Sequence, residues 1–235
     1  MLPPILNCNP TCQGCELHEF PHSVCIPTRH YPPSLELPGA PLILFIGQNP
    51  GYYEDQKNEP FVGKSGDLVK RVFIGGTLLH ERASIWLGNG VRCHTEANDT
   101  PKPKHYKACN HYLLDDLQSL FCQVHDEDQV KIVVTLGAPA TTSFYKNVVE
   151  EGTIPLTKAF TMNGREYEFL LTGDTSTPFR LFSTYHPAAV LRNNNLINSG
   201  HSHMQMVSDC LDGTMATPSD PTIVPTRSPR YGIQI

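Results

Sequence analysis

The chain has no excess of basic residues, no long apolar run and no glycine-rich phosphate motif. Its 18 Lys and Arg are outnumbered by 23 Asp and Glu, for a formal net charge of −5. No global positive field therefore advertises a nucleic-acid partner, although a local positive cleft is compatible with an acidic protein. No apolar run approaches the roughly 18–20 residues that a membrane span needs, so no membrane contact is expected. The opening MLPPILNC has neither the basic start nor the apolar core of a secretory signal. The expectation is an intracellular chain, cytoplasmic or at the nucleoid, and not secreted. Neither G-x-x-x-x-G-K-[ST] nor G-x-G-x-x-G occurs, so the loop in PLILFIGQNPGYYEDQKNEPFVGKSG (41–66) is not a phosphate cradle.

What is present is a loop-rich chain of 235 residues with 39% hydrophobic content and 21 prolines, long enough for one domain with tails. Residues 1–40 hold prolines and cysteines with little periodicity, a segment that orders only if something ties it down. From Pro41 to residue 211 the texture alternates. PLILFIG (41–47), ASIWLGNG (83–90) and VKIVVTLG (130–137) read as short buried strands, as do YEFLLTG (167–173) and RLFSTYHP (180–187). GDLVKRVFI (66–74), KHYKACNHYLLDDLQSLF (104–121), APATTSFY (138–145) and AAVLRNNN (188–195) carry helical signals. This alternation predicts an α/β fold with a mostly parallel central sheet. Ligands in such sheets sit beyond the carboxyl ends of the strands. The polar loops GQNPGYYED, GNGVRCHTE and TYHPAAVLR each follow a strand, so all three should converge on one edge. The Pro-, Thr- and Ser-rich stretch 212–235 reads as a disordered tail, its apolar end a candidate docking peptide.

Eight cysteines in an intracellular chain call for metal or redox chemistry before disulfides. Cys12 and Cys15 form a C-x-x-C; Cys93 follows a strand, and Cys109 opens a helix. Together they make a candidate thiolate site for zinc or an iron–sulfur cluster. The plain alternative is that Cys93 and Cys109 are small buried hydrophobes.

Taken in order, C-x-x-C-x-L (Cys12, Cys15, Leu17), IGQNPGYYED with PFVGKSGDLV, NGVRC (89–93), Cys109, VVTLGAPA (133–140) and TYHPAAVLR (184–192) resemble the family 4, iron–sulfur uracil-DNA glycosylases. The resemblance runs from about Cys12 to Cys210. It implies a three-layer α/β/α sandwich, a monofunctional glycosylase acting on DNA that contains uracil or a modified base, and a [4Fe–4S] cluster on Cys12, Cys15, Cys93 and Cys109, with zinc as the alternative. Cys8 is then the only credible substitute for Cys12, and Cys25, Cys122 and Cys210 are structural. The tail (212–235) becomes a candidate contact for a replication partner.

The resemblance also assigns roles. Phe61 would stack on the base beside Gly47, and Asn89 would read it, since an amide answers a base N–H and C=O together. His186 would face the carbonyl of the departing base, a preorganised electrostatic aid. Pro50, Gly51 and Arg192 would lie against DNA. The first loop departs from the family: its GExPG pattern has a glutamate where this chain has Gln48, while Asn49 recreates the G-x-N-P-G of other superfamily branches. Asn49 is the favoured partner of the attacking water. Glu54 is the competing carboxylate, unless it only braces the loop. Loss of the glutamate also leaves open a silent DNA-binding member or a pocket retuned for another base.

Overall fold

The computed structural model describes residues 5–6, 8–32, 39–122, 129–149, 165–170 and 176–213. The expected tail therefore lies outside the described residues, apart from Asp212 and Gly213. Among the described residues six strands form one sheet: β1 (Arg29–His30), β2 (Leu42–Gly47), β3 (Ser84–Asn89), β4 (Lys131–Leu136), β5 (Arg165–Leu170) and β6 (Ser176–Thr184), in the order β1-β3-β2-β4-β6-β5. The four inner strands run parallel, and the two edge strands pair antiparallel. The last two strands start earlier than the apolar pattern indicated, and the second of them stops at Thr184, before the Tyr-His-Pro turn.

β2, β3 and β4 are buried along their whole length, which is why they read as continuous apolar runs. Their side chains still alternate. Leu42, Leu44, Ile46 and Val133 join one core with Leu113, Leu117 and Phe144; Ile43, Phe45, Ile132 and Val134 join another with Phe73, Met204 and Val207. The first core is covered by α3 (Pro103–Leu117) and α4 (Ala138–Phe144). The second is covered by α2 (Lys64–Leu68) with its π-helical continuation Val69–Ile74, and by α6 (Leu196–Leu211). Helices on both faces make the three-layer sandwich. No helix among the described residues is long and apolar enough to cross a membrane.

The N-terminal segment is fastened at several points. Cys8 and Cys25 form a disulfide that closes a loop around Cys12 and Cys15. The pairing removes Cys8 as a substitute ligand and leaves Cys12, Cys15, Cys93 and Cys109 as free thiols. Asp55, in α1 (Tyr52–Lys57), accepts the backbone N–H groups of His22 and Ser23 at 2.9 and 2.8 Å. Glu16 pairs with Lys104 and His105 of α3; Lys104 first, then His105, holds its carboxyl down at about 2. Ile26 donates its N–H to the Arg92 carbonyl at 2.8 Å.

A buried ionic network lies beneath. The Arg92 guanidinium reaches Thr28 Oγ1 and Asp116, and Thr28 Oγ1 donates to Asp116 Oδ2 at 2.5 Å. Both charged side chains are only 2% exposed, so neither can be rehydrated if its partner is lost. Arg92→Leu or Asp116→Leu alone should lower unfolding free energy by about 3–5 kcal/mol in urea titrations, whereas the double replacement should lose less than either single one.

Candidate active site

The parallel strands end level. Gly47 pairs with Asn89 in register, and Leu136 pairs with Thr184. The loops beyond them enclose a cavity of about 440 Å³, within the range of small-molecule sites. Gln48, Asn49, Pro50, Gly51 and Glu54 line it from the first loop, with Phe61, Asn89, His186 and Arg192 from the others, and Gly47 at its floor. Every base-pocket and DNA-facing residue expected from the sequence therefore borders one space. Ser65, Asn98 and Thr100 line it as well and were not anticipated, because small polar residues in turns carry no sequence signal of their own.

Gly47 is glycine for a steric reason. A Cβ built there would lie 2.3 Å from Asn89 Oδ1 and 3.1 Å from the tip of the Phe61 ring. The missing side chain lets the amide and the ring close over the same floor. Asn89 is 5% exposed, and its side chain makes no hydrogen bond among the described residues, so the side-chain carbonyl and NH₂ are both uncommitted there. Phe61 belongs to the core yet borders the cavity, and its backbone takes a left-handed φ of 58°. Such a conformation in a bulky residue has to be held from outside. Glu54 Oε1 accepts the Phe61 N–H at 3.0 Å, and Gly66 gives room to the Phe61 carbonyl, which a Cβ there would meet at 2.0 Å.

Glu54 holds the loop with both oxygens, because Oε2 accepts the Gly51 N–H as well. Burial pushes its carboxyl above the ordinary range, against the opposing pull of those two N–H donors. The arrangement favours bracing over direct chemistry. Asn49 is fixed differently: its Nδ2 donates to the Pro50 carbonyl at 3.0 Å and to Thr95 Oγ1 at 3.3 Å.

His186 caps α5 (Pro187–Arg192), its Nδ1 accepting the Ala188 N–H at 3.2 Å. In the neutral ring the proton must then sit on Nε2. Burial, and secondarily the Arg192 charge, hold its pKa below the ordinary 6.5, so the ring is a neutral donor through Nε2. Its backbone packs on Gly137, whose φ is +85°; a Cβ at Gly137 would come within 2.7 Å of the His186 Cβ.

Some distance from this cavity, Cys12, Cys15, Cys93 and Cys109 line a second one with Gly14, His18 and Tyr112. Burial pushes the Cys93 thiol up to about 12 and the Cys109 thiol up to about 11. Backbone N–H groups already point at sulfur: Gly14 to Cys12 and Cys25 to Cys93, each at 3.5 Å. Among the described residues no three His, Cys, Asp or Glu side chains are spaced to hold a single metal ion.

The family model of the Uracil DNA glycosylase superfamily matches residues 36–209. The chain is 30% identical over 186 residues to a type-4 uracil-DNA glycosylase of Sulfurisphaera tokodaii, covering 79% of this chain and 74% of that protein. It is 30% identical over 151 residues to that of Saccharolobus solfataricus, 64% of this chain and 62% of the relative. For Archaeoglobus fulgidus the figures are 28% over 181 residues, 77% and 78%.

His186 should titrate below 6.5 and show the neutral Nε2–H tautomer in its ring ¹⁵N shifts. Burial also lowers the His203 pKa. Below pH 6.5 the unfolded chain binds more protons than the native one at both rings, so their effect is a stability that falls as pH drops through that value and is restored above it. Gly47→Ala should lower thermal stability by the equivalent of about 1–3 kcal/mol and displace the Asn89 amide, visible as a shifted side-chain resonance.

Proposed function

Because the chain belongs to the uracil-DNA glycosylase superfamily, in its type-4 branch, we propose that it excises uracil from DNA as a monofunctional glycosylase, leaving an abasic site. The observation that carries this reading is the convergence of Phe61, Asn89, His186 and Asn49 on one cavity at the carboxyl edge of the sheet. A base inside a duplex is out of reach, so the target nucleotide must swing out into that cavity. Phe61 then covers one face of the base, and the unpaired Asn89 amide pairs with its edge. Arg192, exposed at the end of α5, stands at the rim, where it would meet the strand the nucleotide has left.

In the chemical step the C1′–N1 bond breaks and its electron pair leaves with the base. The base becomes anionic while the sugar becomes cationic. His186 Nε2–H donates to the carbonyl on which the negative charge accumulates, and the fixed tautomer means no reorganisation is needed at that moment. A water held by Asn49 adds its oxygen to C1′ and gives up a proton to solvent, and the base anion is protonated as it departs. No lysine is found among the described residues that line the cavity. That favours attack by water over an amine adduct with strand cleavage.

We infer that the four thiols lining the second cavity, Cys12, Cys15, Cys93 and Cys109, would hold an iron–sulfur cluster. Buried thiols with raised pKa values become thiolates only beside compensating positive charge, and the N–H groups aimed at sulfur suit such anions. The cluster would fasten the N-terminal loop and Cys93 to α3, well away from the chemistry.

Incubation with a uracil-containing oligonucleotide followed by alkali should cut the strand at uracil, and intact strands at high enzyme concentration would overturn the assignment. Asn89→Ala and His186→Ala should each slow excision by about 10²–10³ with little change in DNA affinity. The purified protein should be brown, with broad absorbance near about 400 nm that is lost on Cys93→Ala. Gln48 favours one rival, a pocket retuned for a modified base; faster release of another base in a substrate panel would establish it.

A further inference from the structure

We infer that Thr95 is a positioning residue that fixes which end of the Asn49 amide faces the reacting sugar. The inference rests on the reading of Asn49 as the group that holds the attacking water. An amide in that role has two unlike ends: its oxygen accepts a hydrogen bond from water, whereas its nitrogen offers only donors. The two ends are alike in size and shape, so the neighbours must decide.

Here the neighbours are unambiguous. Nδ2 lies 3.0 Å from the Pro50 carbonyl, which can only accept. It also lies 3.3 Å from Thr95 Oγ1. That hydroxyl has one proton, already donated to the Asp99 carbonyl at 2.6 Å, so towards Asn49 it can only accept. Reversing the amide would set its oxygen against two acceptors. Among the described residues Oδ1 is consequently the uncommitted end of a side chain that lines the cavity. It is free to accept from water and to orient a lone pair at C1′.

Thr95 is itself held. It is 4% exposed, its carbonyl accepts the Asn98 N–H at 3.1 Å, and the Glu96–Asn98 turn brings the Asp99 carbonyl back to its hydroxyl. One residue earlier, His94 Nδ1 meets the Pro50 carbonyl at 3.1 Å, and since that oxygen can only accept, the ring nitrogen donates. The loop after β3 therefore grips the loop after β2 at both of the acceptors that Asn49 uses.

The test compares Thr95→Val, which keeps the shape but removes the acceptor, with Thr95→Ser, which keeps it. Single-turnover excision of uracil should slow about tenfold in T95V, with the Kd for DNA within about twofold of the parent, and T95S should stay within about threefold. In an Asn49→Ala background T95V should slow excision no further. Equal rates in T95V and the parent, failure of serine to restore the rate, or an undiminished T95V effect without Asn49 would each overturn the proposal. A wild-type rate in Asn49→Ala would instead refute the reading beneath it. A second readout needs no turnover: the Asn49 side-chain NH₂ protons, identified by their loss in Asn49→Ala, should exchange slowly in the parent and T95S and faster in T95V. Unchanged exchange would sink the latch whatever the protein excises. Thr95→Ala carries the same readouts if T95V fails to fold by near-ultraviolet circular dichroism.

Discussion

The in-register pairing of β2 with β3 is the constraint on which the site depends. It sets Gly47 beside Asn89 at the last rung of the ladder, and no side chain larger than hydrogen fits at the first position. A one-residue slip would turn Asn89 to the opposite face and bring a bulky neighbour to the floor of the cavity. Burial of both strands on both faces forbids such a slip, because two apolar layers would lose their register together. Precision at the pocket is thus inherited from the hydrophobic core rather than built by the loops. The loops add holding points: Glu54 spans from Gly51 to Phe61, and Gly66 accommodates the carbonyl of a residue that would otherwise avoid its left-handed backbone.

The segment Arg92–Thr95 joins this pocket to the rest of the molecule. Four consecutive side chains serve four different partners. Arg92 pairs with Asp116 in α3, Cys93 faces the thiol cavity, His94 holds the Pro50 carbonyl, and Thr95 holds Asn49. The stretch lies beyond the end of β3, with a bend at Cys93, so its successive side chains do not share one face. A centre bound by the four thiols would act at a distance through this strip. It would fix where the chain leaves Cys93, and hence where His94 and Thr95 meet the first loop. The disulfide between Cys8 and Cys25 works to the same end, since the Cys25 N–H is one of the donors aimed at Cys93 sulfur.

The three central strands and the polar loops that follow them were legible because burial on both faces writes itself as an apolar run, and a ligand edge as polar residues just beyond it. The residues of the base pocket were legible only through the ordered motifs of a resembling family; a lone Phe61 or Asn89 is indistinguishable from a core ring or a turn amide. Other features left little trace. The α6 sequence, LINSGHSHMQMVSDCL, mixes Gly, Ser, Asn and His, and the helix is stabilised by packing, with Gly200 set against Phe73 and Met204 and Val207 in the core. β1 is two residues long, too short for any period to register. The disulfide partners could not be read from spacing, since connectivity is a property of the fold. Thr95 carried no signal because its role lies in the direction of one hydroxyl proton.

Replacing a carboxylate by amides at the first loop has a physical consequence that links Gln48, Asn49 and Thr95. In the proposed reaction the departing base is anionic, and a carboxylate close by would oppose that charge even as it attracted the cationic sugar. In the proposed reaction Asn89 and the neutral His186 would stabilise the base by dipoles, while Glu54, which also lines the cavity, has both oxygens on backbone N–H groups. A sugar that has gained cationic character needs its water placed more than deprotonated, which an amide oxygen can do. What the amide gives up is symmetry. A carboxylate presents an acceptor whichever way it turns, whereas an amide turned over presents two donors to the cation and to the water. An asparagine in this position is therefore useful only when its nitrogen is anchored to acceptors, and the Pro50 carbonyl with the committed hydroxyl of Thr95 supplies both.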